Sequence, residues 1–346
     1  MSNVAKQIIF TSQPDSETIS LNELFSIDPS IKFVKWLTNG VGMVDITWNF
    51  GELTQAIKIN PPIFIQHICP VDFTIDIGHN ADNIGRIAEP LTDITAMMDK
   101  NKSFSVQTRL LGKMDFEYKV FDVNQYMADE ITKNGFNLDV RCPEQVISVV
   151  CCDGKAYIGI SDARDNLSNW AGGRHRFIRN ENLICRAEFK LLEAIDVFDL
   201  KLEKYKMALD LGAAPGGWTN VLRQHNLQVA AVDPADLHPA IISDPGVIHY
   251  KQTAQVFLKS NKIAFDVIVN DMKMDARESA LLLGTASGCL KHNGIAVITL
   301  KLPNKNKQKI VKNTLELLRK WYEVIGARQL FHNRSEVTVI LKPVML

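Results

Sequence analysis

No two of the six cysteines along the 346 residues stand as a C-x-x-C pair. Cys69, Cys142, Cys151, Cys152, Cys185 and Cys289 lie among apolar neighbours, which argues against a zinc site or a disulfide framework and for buried thiols. No apolar run approaches the roughly 18–20 residues that span a bilayer. The start, MSNVAKQIIFTSQPDSE, carries one lysine and lacks the apolar core and cleavage site of a secretion signal, so a cytoplasmic protein with no membrane partner is expected. Charge of one sign is missing too: 39 basic and 39 acidic side chains cancel. That balance disfavours a protein that coats nucleic acid indiscriminately, and no DNA partner is expected, but local basic patches stay open. No internal repeat or low-complexity tract is present.

Local patches do exist. KLPNKNKQKIVKN (Lys301–Asn313) holds lysines and no acid, GGRHRFIRN (Gly172–Asn180) holds three arginines, and Val71–Asp99 is acidic. Each of these, taken singly, reads first as a solvated face.

From Lys206 onward short apolar runs alternate with helical patterns. KMALDLG, QVAAVDP, GVIHYKQ, FDVIVNDM and GIAVITLKLP read as strands, and GGWTNVLRQHN as a helix. A long amphipathic helix is expected over NKQKIVKNTLELLRKWYEVIG, with Ile310, Val311, Leu315, Leu318, Trp321, Tyr322 and Ile325 on one face and Gly326 as its stop. ARQLFHN and EVTVILKP read as two final strands. The alternation predicts an α/β fold with a parallel sheet covered on both sides, its last strands antiparallel. Before Lys206 the pattern is α+β: a strand at KSFSVQTRLLG, a helix at DVNQYMADEITKNG, then a hairpin turning at Asp153–Gly154. Residues 1–95 mix short strands with turn signals, and the Asn-, Gly- and Arg-rich stretch from Ser161 to Leu183 reads as a linker.

The stretch ALDLGAAPGGWT (Ala208–Thr219) places Gly212, Ala214, Pro215, Gly216, Gly217 and Trp218 directly after a buried strand. Ligands of doubly wound sheets sit at the carboxyl ends of strands, and the glycines let backbone approach one closely. This is not G-x-G-x-x-G. Pro215 and the bulky Trp218 suit a pyrophosphate poorly and an amino-acid carboxylate better. Asp233 ends the second strand, where an acid grips ribose hydroxyls.

These residues resemble the FtsJ-type ribose 2′-O-methyltransferases over the whole last domain. The resemblance implies S-adenosylmethionine as cofactor and a Lys–Asp–Lys–Glu tetrad. Its members fall on Lys190 in CRAEFKLLEA, Asp271 in VIVNDM, Lys301 in VITLKLP and Glu336 in NRSEVTVIL, with Asp271 also beside the cofactor. Where the family has an acid for the adenine amino group, this chain offers Gln252 and Thr253, neutral acceptors weaker than a carboxylate. ARQLFHNRSEVTV, LKLPNK and NLSNWAGGRHRF are similar to members that carry a THUMP domain and methylate a cytidine of large-subunit (23S) ribosomal RNA. The domains so implied are an α+β, ferredoxin-like region over 1–95, a THUMP-like RNA-binding domain and linker over 96–178, and a Rossmann-like seven-stranded methyltransferase domain over 179–346. No metal is implied, because a sulfonium methyl is already electrophilic.

In this reading Lys301 is the general base. A free lysine has a pKa of about 10.4, so such a base must be pushed down by burial or neighbouring positive charge. Asp271 would orient Lys301 and the cofactor, and Lys190 and Glu336 would hold the hydroxyl and the lysines. Lys305, Lys307 and Lys309, with Arg174, Arg176 and Arg179, are candidates for RNA phosphates, and Trp170 and Phe177 for base stacking. Two rivals stay open: an RNA-binding assembly factor that keeps the fold without turnover, and a dinucleotide-dependent oxidoreductase on the same sheet.

Overall fold

A computed structural model describes residues 6–78, 83–112, 115–177 and 183–344. The chain divides into two units, Met1–Arg174 and His175–Leu346. The expected junction at 178/179 lies outside the described residues.

Unit 1 begins β1 (Gln7–Thr11), α1 (Glu17–Ile27), β2 (Lys32–Thr38), β3 (Val41–Asp45), α2 (Phe50–Ile59) and β4 (His67–Val71). Strands of order β2-β3-β1-β4, all antiparallel, form the ferredoxin-like arrangement. Asn49 starts α2 with a reciprocal cap: its Oδ1 accepts the Glu52 amide at 2.9 Å, and Glu52 Oε2 accepts the Asn49 amide at 2.9 Å. Ile8, Phe10 and Val44 pack with Leu24, Leu53 and Ile57 in one core.

The second half of unit 1 continues with β5 (Phe73–Asp76), α3 (Asn83–Ile87), α4 (Leu91–Met97), β6 (Phe104–Leu110), α5 (Val120–Lys133), β7 (Gln145–Cys152) and β8 (Lys155–Asp162). Its sheet order is β5-β8-β7-β6, with only β6 and β7 parallel. Asp153 and Gly154 both take positive φ, +48° and +75°, which gives the tight hairpin expected there. Ile77, Ile87 and Ile94 share a core with Phe104, Val123 and Ile147. The expected boundary at 95/96 therefore passes through one packed layer, because β5, α3 and α4 pack with β6, α5 and β7 on its far side.

Unit 2 contains α6 (Glu188–Val197), β9 (Met207–Leu211), α7 (Gly217–Gln224), β10 (Gln228–Val232), α8 (Pro239–Ile242), β11 (Val247–Tyr250), α9 (Ala254–Ser260), β12 (Phe265–Asn270), α10 (Ala276–Thr285), β13 (Leu290–Lys301), α11 (Lys307–Leu318), β14 (Tyr322–Arg328) and β15 (Glu336–Pro343). Among the described residues its sheet has seven strands in the order β11-β10-β9-β12-β13-β15-β14. The first five are parallel; β15 runs antiparallel to both β13 and β14.

Three expectations fail here. The last long helix stops at Leu318, and Tyr322 and Ile325 belong to β14. Trp321 lies against Gly284, where a methyl group would meet its Cε3 at 2.7 Å, and the Tyr322 hydroxyl donates to the Leu283 carbonyl at 2.7 Å. Gly326 is not a helix stop but a point of irregular strand register against which Phe198 packs. Of ARQLFHN only Ala327 and Arg328 are strand; Phe331–Asn333 is a single helical turn. The buried-thiol reading also fails at Cys142, which is exposed.

Candidate active site

β9 carries the first loop to the sheet's carboxyl edge. Leu211 sits opposite Val232 of β10 on one side and Asn270 of β12 on the other. Gly212, Asp233 and Asp271, the next residue in each case, therefore leave the sheet side by side. Strand order reverses at this point, which is where open α/β sheets hold ligands.

The loop after β9 is kept bare for steric reasons. A methyl group on Gly212 (φ +77°) would meet Met272 Cγ at 2.3 Å, and one on Gly216 (φ +112°) would meet Ile241 Cγ1 at 2.8 Å. Both angles strain any residue but glycine. Gly217 faces Cys185 Sγ, and the Ala214–Pro215 bond is cis. Trp218 acts as a structural tie, since it is buried and its indole N–H donates to the Ala187 carbonyl at 2.9 Å. The loop's helix, α7, is thereby joined to the start of α6. Beneath the loop, Asp210 is buried and accepts the Thr219 hydroxyl at 2.7 Å. Burial raises its carboxyl to about 7, against the opposing effect of the Thr219 bond.

α6, β12, β13 and β15 bring four charged groups together. Lys190 Nζ lies 3.2 Å from Asp271 Oδ2 and 2.6 Å from Glu336 Oε2. Lys301 Nζ contacts Asp271 Oδ1 and lies 3.2 Å from Glu336 Oε1. Lys301 and Glu336 are direct register partners across β13 and β15, so strand pairing sets their distance. Burial pulls the Lys190 pKa down, but Asp271 and Glu336 together outweigh it and hold the amine above its ordinary value. The four side chains keep 15–20% of their surface exposed, which leaves them open to a substrate.

Three supporting residues escaped the sequence reading. Thr299 donates to Asp271 Oδ1 at 2.5 Å and contacts Lys301 Nζ. Its place two residues before Lys301, on the same face of β13, was the available signal. Glu188 accepts the Ile184 amide at 2.6 Å and Asn220 Nδ2 at 3.1 Å, joining α6 to α7. Glu193 accepts the amides of Phe331 and His332 at 2.7 and 2.9 Å, which fixes the turn leading to Glu336. Nothing local marks either glutamate.

The residues proposed to hold the cofactor have the right chemistry. Asp233 accepts the Ala214 amide through Oδ2 at 3.1 Å and the Ala235 amide through Oδ1 at 2.8 Å, and each oxygen keeps a lone pair for a diol. Thr253 caps α9, accepting the Val256 amide at 3.4 Å, and Gln252 beside it is half-buried. Among the basic candidates, Lys305, Lys309, Arg174 and Arg176 are exposed, whereas Lys307 is buried in the first turn of α11 and is not a solvated phosphate ligand. Phe177 stacks on Phe189 (5.8 Å, 9°) and lies 5.6 Å from His332, so its ring is already occupied by protein. Trp170 is half-buried, and Arg179 lies outside the described residues.

A bare loop at the strand-order switch, an acid after the second strand and a four-residue charge cluster thus stand along one edge of the sheet. Residues 183–323 match the family model described as FtsJ-like methyltransferase, and unit 2 carries that domain, an enzyme domain whose cofactor is S-adenosylmethionine. The chain is similar to ribosomal RNA large subunit methyltransferase M of Halorhodospira halophila (strain DSM 244 / SL1), 34% identical over 49% of this chain and 50% of that protein. The protein of the same name from Shewanella pealeana (strain ATCC 700345 / ANG-SQ1) is 28% identical over 89% of each chain. The chain thus spans about half the length of the first of these relatives and most of the second. A solved structure, TrmN from Thermus thermophilus, aligns over 98% of this chain at 14% identity with a TM-score of 0.40. Among the described residues no helix is long and apolar enough to cross a membrane.

Proposed function

We propose that the chain is an S-adenosylmethionine-dependent RNA ribose 2′-O-methyltransferase of the cytoplasm, acting on a cytidine of large-subunit ribosomal RNA, with a THUMP-like region in unit 1. The observation that supports this most is the meeting of Lys190, Lys301 and Glu336 around Asp271, the residue that leaves β12 beside Gly212. The relatives' shared name supports ribosomal RNA as the substrate.

Gly212, Ala214, Pro215, Gly216, Gly217 and Trp218 form the proposed cofactor loop, Asp233 takes the ribose diol, and Thr253 lies toward the base. The cofactor supplies a sulfonium-bound methyl group that needs no metal to be electrophilic. The chain's part is to activate the nucleophile, because a ribose hydroxyl becomes competent only as its proton leaves. Lys301 Nζ, in its neutral form, accepts that proton. Asp271 and Thr299 fix the position of the amine, while Lys190, held cationic by two carboxylates, steadies the developing oxyanion. Glu336 joins the two lysines so that neither drifts. Much of the acceleration then comes from alignment.

The test is Lys301→Ala with tritiated cofactor and ribosomal RNA. Transfer is expected to fall below detection while calorimetry finds cofactor binding retained; undiminished turnover would remove Lys301 from the mechanism. An absence of transfer by the wild-type protein itself would favour the assembly-factor reading.

A further inference from the structure

Unit 1 contains a cation that nothing among its described residues neutralises. Arg109 is on β6, on the face opposite the apolar core that Phe104 and Val106 enter, and is 8% exposed. Among the described residues its guanidinium makes no hydrogen bond and no ion pair; its charged neighbour is another cation, Arg174. The nearby Cys69 thiol gives no compensation, because burial pushes it up to about 11 and keeps it neutral.

The group is firmly placed. A methyl group on Gly172 would lie 2.3 Å from Arg109 Nη1, 2.4 Å from Cζ and 2.6 Å from Nε, so the guanidinium rests against bare backbone. Thr11 Oγ1 donates to the Gly172 carbonyl at 2.9 Å and pins that segment to β1. Gly172 and Gly173 both take positive φ, and Arg174, whose charge acts on Arg109, follows them directly. The hydroxyl of Ser105, two and four residues from Gln107 and Arg109 on the same face of β6, is also buried without a partner.

Burying an unpaired guanidinium is costly, and stable cores pair such groups or lack them. Here burial first, and Arg174 second, pull Arg109 down to about 10, so it stays charged at neutral pH. An incoming anion meets a guanidinium that is already largely desolvated and fixed in position, which is how preorganisation raises affinity. Two arginines near enough for one charge to act on the other suit the oxygens of a phosphate group.

We propose that Arg109 and Arg174 form an anion site in unit 1 that receives a backbone phosphate of the RNA, a proposal that rests on the RNA methyltransferase reading. The Gly172–Gly173 pair serves this site as a spacer, and a side chain at Gly172 would occupy the space of the guanidinium.

The test compares full-length wild-type protein with Arg109→Met, Arg109→Lys and Arg174→Ala. Inorganic phosphate is titrated in thermal melts, and binding of a ribosomal RNA fragment is followed against salt. Phosphate is expected to raise the wild-type melting temperature and to leave Arg109→Met unmoved. RNA affinity is expected to fall about tenfold in Arg109→Met and in Arg174→Ala, with a salt slope shallower by about one. Arg109→Lys keeps charge without the fork and should fall between. The phosphate-free Arg109→Met protein should melt no lower than wild type. A lower melt restored by lysine, with RNA binding unchanged, would make Arg109 structural and overturn the site. A phosphate response lost in Arg109→Met with RNA affinity intact would limit the site to a free anion and overturn the RNA assignment. If wild-type protein methylates RNA and every arginine variant binds it equally, the site falls and the function stands. If no RNA is methylated or bound, the function falls and takes the phosphodiester assignment with it.

Discussion

Asp210→Asn isolates one carboxyl beneath the glycine-rich loop after β9. In the native protein this group titrates at about 7 rather than at its ordinary 3.8, because it is buried at the end of β9. Between those two values the folded chain keeps a proton that the unfolded chain has released, so stability is complete below about 4 and declines as pH climbs toward 7. At 1.36 kcal/mol per pKa unit, the decline due to this group is at most about 4 kcal/mol. Asparagine does not titrate there, and its side-chain oxygen can still accept the Thr219 hydroxyl. Urea unfolding followed by tryptophan fluorescence should therefore show the variant gaining on wild type by up to about 4 kcal/mol between pH 4 and pH 8, whatever fixed offset the amide adds. A difference between the two proteins that stays flat across that range would refute a neutral buried acid. A difference moving the other way would mean that the Thr219 bond outweighs burial.

Other substitutions probe the loop and the supports of the tetrad. Gly212→Ala must place a methyl group against Met272 at a positive φ, so a stability loss of about 1–3 kcal/mol and weaker cofactor binding are expected by melting and calorimetry. Glu193→Gln sets an amide N–H₂ against one of the donors that the carboxylate now accepts. A loss of about 1–3 kcal/mol should accompany slower methyl transfer, through loosening of the turn before Glu336; unchanged transfer in a destabilised protein would confine Glu193 to folding.

The four clustered residues were legible because each lies at a strand end or on a helix that short-range patterns locate, and because strand register, parallel between β12 and β13 and antiparallel between β13 and β15, then aligns those ends. The close packing around the glycines after β9 was legible for a similar reason, since bare backbone after a buried strand marks a tight approach. The overrun of α11 came from competing periods: Leu318, Tyr322 and Ile325 fit helical spacing, while Tyr322 and Val324 also fit alternation in a strand. Only the packing of Trp321 on Gly284 and of Tyr322 on Leu283 decides between them, and that lies in tertiary structure. Lys307 sat in a lysine-rich run, and composition does not say which lysine the fold covers. Glu188 and Glu193 bind backbone amides, one of them 138 residues distant, which no local pattern records.

The placement of β15 between β13 and β14 bears on how the protein is made. Glu336 and the inner partner of both neighbouring strands reside in the segment Glu336–Pro343, so a nascent polypeptide halted before it would carry two unsatisfied sheet edges and three-quarters of a charge cluster. Pairing of β13 with β14 through β15 and completion of the charge cluster thus depend on the same eight residues.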